Sequence, residues 1–386
     1  MALSRINADS IADGTIVAAE IADGAISNTK LATGSVENYL GTQGFALGMR
    51  NRIINGDMRI DQRNAGASVT VTDAYTVDRW KFTEDTDGAA SVQQVSDAPS
   101  GFNNSAKVTV TTADASIGAA QFALFWQPIE GFNWSDLGYG AAGAKTSTLS
   151  FWVKSSLTGT FSGALESSDG GRSYIFSYSI SSANTWEQKT ITIAGDTSGT
   201  WVGSTNGIGV KVFFTLTAGA NFQGTPGSWG ATRFGATGTT QLMSTLNATW
   251  QLTGVQLEVG SVATPFERRP YGTELNLCKR YFQTTRGTAS SMVGTTGYVP
   301  TVVNTAYRIG YELPVTMRTT PSVTLVSLSA WDGTAVVGIT ALLSNFCDPN
   351  RIDGDWTLAS DLNDGRICRI YQTTGGTSRM DISAEL

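Results

Sequence analysis

Seven aliphatic residues, Ile6, Ile11, Ile16, Ile21, Ile26, Leu31 and Val36, follow one another at an unbroken spacing of five. That period suits neither regular element. On an α-helix each step of five turns the side chain by roughly 140°, so no apolar stripe forms. On a flat strand an odd step alternates faces. A ten-residue echo overlies the ladder, in Ile11-Ala12-Asp13-Gly14, Ile21-Ala22-Asp23-Gly24 and Leu31-Ala32-Thr33-Gly34, and it supplies regular turns. The segment therefore reads as short extended pieces, and one such thin layer cannot bury its own isoleucines. Three copies around an axis can. The expectation is an extended homotrimeric stem over residues 1–48; the alternative is a disordered tail or one that wraps a partner. Gly41, Gly44 and Gly48 close the segment as a hinge over residues 37–48.

Composition removes several function classes. The 386 residues contain no histidine, which takes away Ser-His-Asp and Cys-His nucleophiles, imidazole bases and nearly every zinc site. The net charge is −6 and no Lys/Arg block occurs, so no nucleic-acid partner is expected. No stretch is apolar enough to span a bilayer, and the N-terminal residues lack the apolar region of a signal peptide, so no membrane insertion is expected and synthesis is placed in a cytosol. Cys278, Cys347 and Cys368 fit a reducing compartment and read as buried thiols. The acidic clusters at 84–88 and 348–355 do not match an EF-hand loop and read as solvated turns. No metal and no cofactor are expected.

From Arg50 onward the texture changes. Strand-like runs appear at 68–72, 77–83, 90–95, 106–111, 121–129, 146–154, 159–165, 174–180, 186–194, 208–216 and 250–259, separated by Gly, Ser, Asp and Asn clusters. Charged residues are 15%, against about 25% in ordinary globular proteins, while Gly numbers 43. Many short strands between tight turns give an all-β chain with a central sandwich or barrel. Leu149, Phe151 and Val153 alternate with Ser150, Trp152 and Lys154 as a half-buried strand should; the run from Trp250 to Leu257 alternates less cleanly.

Asn51-Arg52-Ile53-Ile54-Asn55-Gly56-Asp57-Met58 resembles the opening of a jelly-roll module found in phage tail fibres. So do Ile129-Glu130-Gly131 with the run Thr148–Ser156, and Leu252–Gly260 followed by Thr264-Pro265-Phe266-Glu267-Arg268-Arg269-Pro270. Glu274–Phe282 is similar to the connector that follows that module, and the pentad segment resembles the part by which such fibres attach to the virion. The resemblance covers about residues 50–283. It implies a carbohydrate-binding-like jelly roll over 49–272 and a short helical connector over 273–283, and the strand-like runs beyond it are read as a C-terminal β domain, sandwich-like, over 284–386. It also implies a virion protein of the tail, assembled in the host cytoplasm, which joins a baseplate or adaptor protein through its N-terminal segment and meets a host surface polysaccharide.

Sugars are held by stacking their C–H faces on aromatic rings, with amide, carboxylate and guanidinium groups bonding the hydroxyls. Aromatics in loops are the candidates, because their rings are not committed to a strand's packing. Trp201 and Trp229 lead, with Phe222, Arg233 and Phe234 flanking the second; Trp134 and Tyr139 form another group. Trp80, Trp152 and Trp250 lie in strand-like runs and are expected in the core. Thr273 is expected to cap the connector helix, with Leu275, Cys278 and Phe282 on one face that would line a trimer axis, while Arg268 and Arg269 would pair between subunits. In the C-terminal region, runs at 299–303, 307–313, 322–328, 336–343 and 366–371 read as strands. Asp332-Gly333, Asp353-Gly354, Asp364-Gly365 and Gly375-Gly376 read as hairpin turns. Trp331, Trp356 and Tyr371 would form a distal contact surface.

The function expected is non-catalytic receptor recognition. One rival is a tailspike-like glycan depolymerase, for which Glu130, Asp136 and Glu166 are carboxylates that nothing in the sequence pairs. The other is a structural head fibre or adaptor protein with no receptor of its own.

Overall fold

A computed structural model describes residues 49–231, 233–285, 292–298, 307–343, 346–360, 367–372 and 378–386. The contacts divide the chain into residues 1–48 and 49–386, and the first unit, with Ile6, Ile11, Ile16, Ile21, Ile26, Leu31 and Val36, lies outside the described residues. So do the hinge at 37–48, the run at 299–303 and the turns at Asp364-Gly365 and Gly375-Gly376.

Two antiparallel sheets pack face to face in the larger unit. The six-stranded sheet runs in the order Val69–Thr70, Ala89–Val95, Ser105–Thr112, Thr249–Val259, Ser147–Ser155, Glu187–Ile193. The seven-stranded sheet runs Trp229–Gly230, Ser173–Ile180, Gly159–Ser167, Ile208–Ala218, Phe122–Glu130, Lys81–Asp85, Asp73–Tyr75. The chain crosses repeatedly from one sheet to the other, the jelly-roll way of building a sandwich. Period-2 alternation drives the packing: Leu149, Phe151 and Val153 are fully buried, while Trp152 and Lys154 look outward. Across the interior Phe151 meets Phe214 at 5.0 Å and Phe125 meets Trp250 at 6.0 Å. Trp80 and Trp250 are fully buried as expected, whereas Trp152 is partly exposed.

The imperfect alternation from Trp250 to Leu257 has a local cause. The ladder to the neighbouring strand slips between Thr253 and Gln256, and Gly254 sits at φ 61°. This bulge switches the parity of the apolar residues, from Trp250 and Leu252 before it to Val255 and Leu257 after it, in a strand buried on both faces. The module's opening residues are staples rather than a strand. Asn51 donates to Val255 O at 3.0 Å and accepts from Leu257 N, and Asn55 donates to both Ile60 O and Asp78 O.

The helix runs Tyr271–Lys279 and starts after Pro270, so Thr273 lies inside it and is not its cap. Glu274, in the first turn, accepts from Asn55 N at 2.5 Å and pairs with Arg269 at 3.2 Å. Arg269 therefore bonds within its own chain, and Arg268 lies 4.7 Å from the Phe102 ring of the same chain. Cys278 packs with Ile54, Ile60 and Tyr281, so the face expected to line a trimer axis is used within the subunit; Phe282 belongs to a strand. Burial pushes the Cys278 thiol well up, which makes it inert at neutral pH.

The C-terminal region is a closed barrel rather than the expected sandwich-like domain. Its strands are Met292–Tyr298, Tyr307–Glu312, Arg351–Leu358, Val336–Leu343, Leu328–Trp331 and Ile367–Gln372, in that cyclic order. A three-stranded sheet, Phe282–Thr284, Arg379–Ser383 and Ser322–Val326, stands beside it. Closure leaves the six short strands without an open edge. Asp353-Gly354 is no turn: both residues pair in mid-strand, with Gly310 and Ile309. Trp356 is fully buried in the barrel and cannot serve a distal surface, while Trp331 is partly exposed.

A seam of charge joins the sandwich to the connector and to the C-terminal residues that follow the three-stranded sheet. Arg79, 1% exposed, pairs with Glu385 and donates to Pro128 O at 2.7 Å, and Arg63 reaches the same carboxylate at 2.9 Å. Arg280 holds Glu130 through two bonds of 2.9 and 2.6 Å, and Tyr281 adds a third of 2.6 Å.

Candidate ligand-binding surface

The strand Ser173–Ile180 turns Tyr174, Phe176 and Tyr178 inward and Ser173 and Ile175 outward toward a small concavity. The edge strand Trp229–Gly230 pairs with it, Trp229 opposite Tyr174 and Gly230 opposite Ser173. Register thus puts the Trp229 indole on the Tyr174 side, with 5.5 Å between ring centroids. The loop after the strand Glu187–Ile193 brings Trp201 edge-to-face onto Trp229, at 5.4 Å and 88°.

That loop is pinned by Asp196. Arg172 donates to its two oxygens at 2.8 and 2.7 Å, Ser198 N at 3.2 Å and the Trp201 indole N–H at 3.2 Å. Burial works against the Asp196 charge, yet the bonds from Arg172, Ser198 and Trp201 outweigh it and hold the carboxyl below its ordinary range. Tyr139 enters from below, between Gly138 and Gly140, both at positive φ, and Gly140 N donates to Asp196 O at 2.7 Å. Its ring meets Trp134 and Trp201 at 5.0 Å and Trp229 at 5.5 Å, each nearly edge-on. Burial pushes the Tyr139 phenol up to about 12.

The structure therefore merges two groups that the sequence keeps apart. Trp134, Tyr139, Trp201, Trp229 and Tyr174 form one aromatic stack at an edge of the sandwich. Their roles differ from the expectation: Trp134 at 1% and Tyr139 at 9% exposure are supports beneath the surface and not contact residues. Trp201 and Trp229 are the half-buried outer members. Both indole N–H groups are used inside the protein, by Asp196 and Ser198 O for Trp201 and by Ala194 O at 2.7 Å for Trp229. What they present outward is carbon ring surface, the part of an indole that packs on a sugar's C–H face.

Phe222 and Arg233 part company. Phe222 stacks on Phe234 at 4.7 Å and meets Phe122 at 5.3 Å, so its ring is spent on a second apolar cluster with Leu124, Ile175 and Phe213. Arg233 is exposed and lines a concavity of about 300 Å³ with Ser173, Thr225, Ser228 and Gly230, across the edge strand from the Trp229 ring. Arg172, Asp196 and Tyr174 were missed by sequence reasoning. Only Asp196 carried a signal, as the acidic residue in the Gly/Ser/Thr loop that precedes Trp201.

The three carboxylates weighed for hydrolysis each pair with a different cation. Glu130 is held by Arg280, Asp136 by Arg52 at 2.7 Å and Glu166 by Lys211 at 2.9 Å. Among the described residues there is no group of acidic or cysteine side chains suited to a metal, and no helix long and apolar enough to cross a membrane.

No protein-family profile and no curated protein matches the chain. Among solved structures it is similar to the enzymatically active domain of tailspike protein 4 of bacteriophage CBA120, at 14% identity and a TM-score of 0.33, over 55% of this chain but only 22% of that one. It is also similar to TmCBM61 in complex with beta-1,4-galactotriose, at 10% identity and a TM-score of 0.28, over 55% of this chain and 99% of that one. A family 11 carbohydrate-binding module from Clostridium thermocellum gives 15% identity and a TM-score of 0.26, over 51% of this chain and 98% of that one. Superpositions this loose leave both architecture and chemistry to be read from the chain's own strands and side chains.

Proposed function

We propose that this chain is a non-catalytic phage tail-fibre subunit whose residues 49–386 bind a glycan of the host surface at the Trp201–Trp229 rim. One observation carries the reading: two indoles from separate loops converge, half exposed, on a rigid aromatic base, with their N–H groups satisfied inward and a polar concavity beside them. Orientation of both rings is fixed before any ligand arrives, which lowers the entropy cost of stacking a sugar on them. The resemblance of Asn51–Met58 and Leu252–Pro270 to tail-fibre modules supports a virion role. In this reading the subunit is homotrimeric, joins the tail through residues 1–48 and is assembled in the host cytoplasm. Weak binding at one rim is multiplied over three chains by effective concentration.

The test uses the full chain with polysaccharide extracted from the host surface. Trp201→Ala and Trp229→Ala are each expected to weaken binding at least tenfold, while light scattering reports three chains per particle. Binding unchanged in both variants would overturn the rim assignment, and a monomer would overturn the trimer. New reducing ends in the polysaccharide would replace the binding role with that of a depolymerase. Intact wild-type protein that binds no polysaccharide would favour the structural adaptor.

A further inference from the structure

The three-stranded sheet beside the barrel has a polar outer face that is not simply solvated. Along Arg379–Ser383 the residues Met380 and Ile382 turn inward and are fully buried, so Arg379, Asp381 and Ser383 face out, with Thr324 beside Asp381 on the neighbouring strand. The sandwich raises a wall along this face from Arg63, Asn64 and Tyr75, and the two together enclose a groove of about 270 Å³. Its base includes Phe282, 3% exposed, with the Arg63 guanidinium stacked 3.6 Å above the ring centroid.

We propose that this groove is a second saccharide site, formed only where the sandwich and the sheet meet, and that it takes a neutral sugar residue. Its volume is close to the small end of ligand pockets, about 300 Å³, which is room for one pyranose. Thr324, Ser383 and Asn64 line it with groups that hydrogen-bond hydroxyls, beside the Tyr75 ring. Charge decides the class. Each cation already has a carboxylate at hand: Arg63 has Glu385 at 2.9 Å, and Arg379 has Asp381 at 2.8 Å. Thr284 also donates to Asp381, at 2.7 Å. A uronate would enter beside Asp381 and compete with it and with Glu385 for their guanidinium partners, whereas a neutral hydroxyl-rich ring meets no such opposition. The site is independent of the Trp201–Trp229 rim, which belongs to the far edge strand of the seven-stranded sheet.

The experiment is saturation-transfer NMR and calorimetry on the full chain with neutral hexose trisaccharides and a uronate trisaccharide. The double variant Trp201→Ala/Trp229→Ala is expected to keep binding a neutral trisaccharide. Adding the exposed obstruction Thr324→Trp should weaken that remaining binding at least tenfold. Asp381→Asn, which removes one carboxylate while keeping the shape, should shift preference toward the uronate by about tenfold. Loss of all binding in the double variant overturns the second site and leaves the rim reading standing. Binding lost with Thr324→Trp alone upholds the groove and removes the rim. A wild-type chain that binds none of these sugars overturns the groove, as does residual binding indifferent to Thr324→Trp or stronger for the uronate.

Discussion

The sandwich and the barrel solve the same problem, burying alternate residues of short strands, with different materials. The sandwich interior is filled by rings: Trp80, Trp134, Trp250, Phe82, Phe125, Phe151, Phe161 and Phe214 are all among its fully buried side chains. Among the described residues of the C-terminal core cluster Trp356 is the one fully buried aromatic, and the rest is Leu, Ile, Val, Met and Ala. Two sheets about 10 Å apart leave a layer that aromatic rings span, whereas six short strands closed on themselves leave a narrow bore suited to smaller side chains. The difference teaches where a contact surface can arise. A ring-filled slab continues to its own edge, so Trp201 and Trp229 are the outermost rings of the same packing that begins at Trp250. The barrel has no such edge.

The Arg79–Glu385–Arg63 seam ties the sandwich to the C-terminal residues that follow the sheet beside the barrel. The largest expected effects test that tie. Trp250→Ala and Trp356→Ala should each cost about 3–5 kcal/mol, since each empties a fully buried site. If the seam couples the parts, both variants shift a single denaturation transition followed by tryptophan fluorescence. Two transitions, each responding to one variant, would break the comparison into independent domains. Next in size is Glu385→Ala, which leaves Arg79 buried without its carboxylate. A loss of about 3 kcal/mol is expected, together with separation of the two transitions. Unchanged cooperativity would show that the Ile54, Ile60, Cys278 and Tyr281 cluster holds the parts together unaided.

How much of this was legible depends on whether a signal is local. Leu149, Phe151 and Val153 announce their strand because alternation is written within nine residues. The parity switch at Gly254 is written too, as a lapse in alternation at a glycine, but the lapse alone does not say which face takes the apolar residues on either side. Barrel closure is not written locally at all: it depends on Met292–Tyr298 pairing with Ile367–Gln372, far along the chain. Asp353-Gly354 shows the opposite failure. The dipeptide favours a turn in isolation, and pairing with Ile309 and Gly310 overrides it. At the rim, residue type was enough to nominate Trp134, Tyr139, Trp201 and Trp229, because loop aromatics flanked by Gly, Ser and Asn stand out. Their convergence was not legible, nor that Trp134 folds inward, since a loop tryptophan reads alike whether it points to solvent or to a neighbour 5.0 Å away. Phe222 failed for the same reason, its loop being folded down on Phe122 and Phe234.

The mildest effect comes from proton binding at the same seam. Asp78 is 1% exposed, and Gln62 donates to its two oxygens at 2.9 and 2.5 Å while also reaching Phe282 O at 3.0 Å, so this carboxyl sits where the sandwich meets the strand that leads to the barrel. Burial raises its pKa to about 7, with the Gln62 bonds opposing and the nearby Glu385 reinforcing the shift. The folded state then holds a proton that the unfolded chain, with an ordinary carboxyl near 3.9, has already released. Its stabilising contribution is therefore complete below about pH 4 and is lost as pH rises to about 7, with a slope of at most about 1.4 kcal/mol per pH unit. Asp196 favours the reverse trend, whereas burial raises Asp57 and Glu166 as it raises Asp78, so these groups together should flatten or invert the usual gain in stability over that range. Asp78→Asn removes the titration, and its urea midpoint should rise more steeply from pH 4.5 to 7 than that of the wild type. Parallel pH profiles would mean that Asp78 is ionised in the folded protein. The seam would then carry another buried negative charge beside Glu385, and Arg63 would have to serve both.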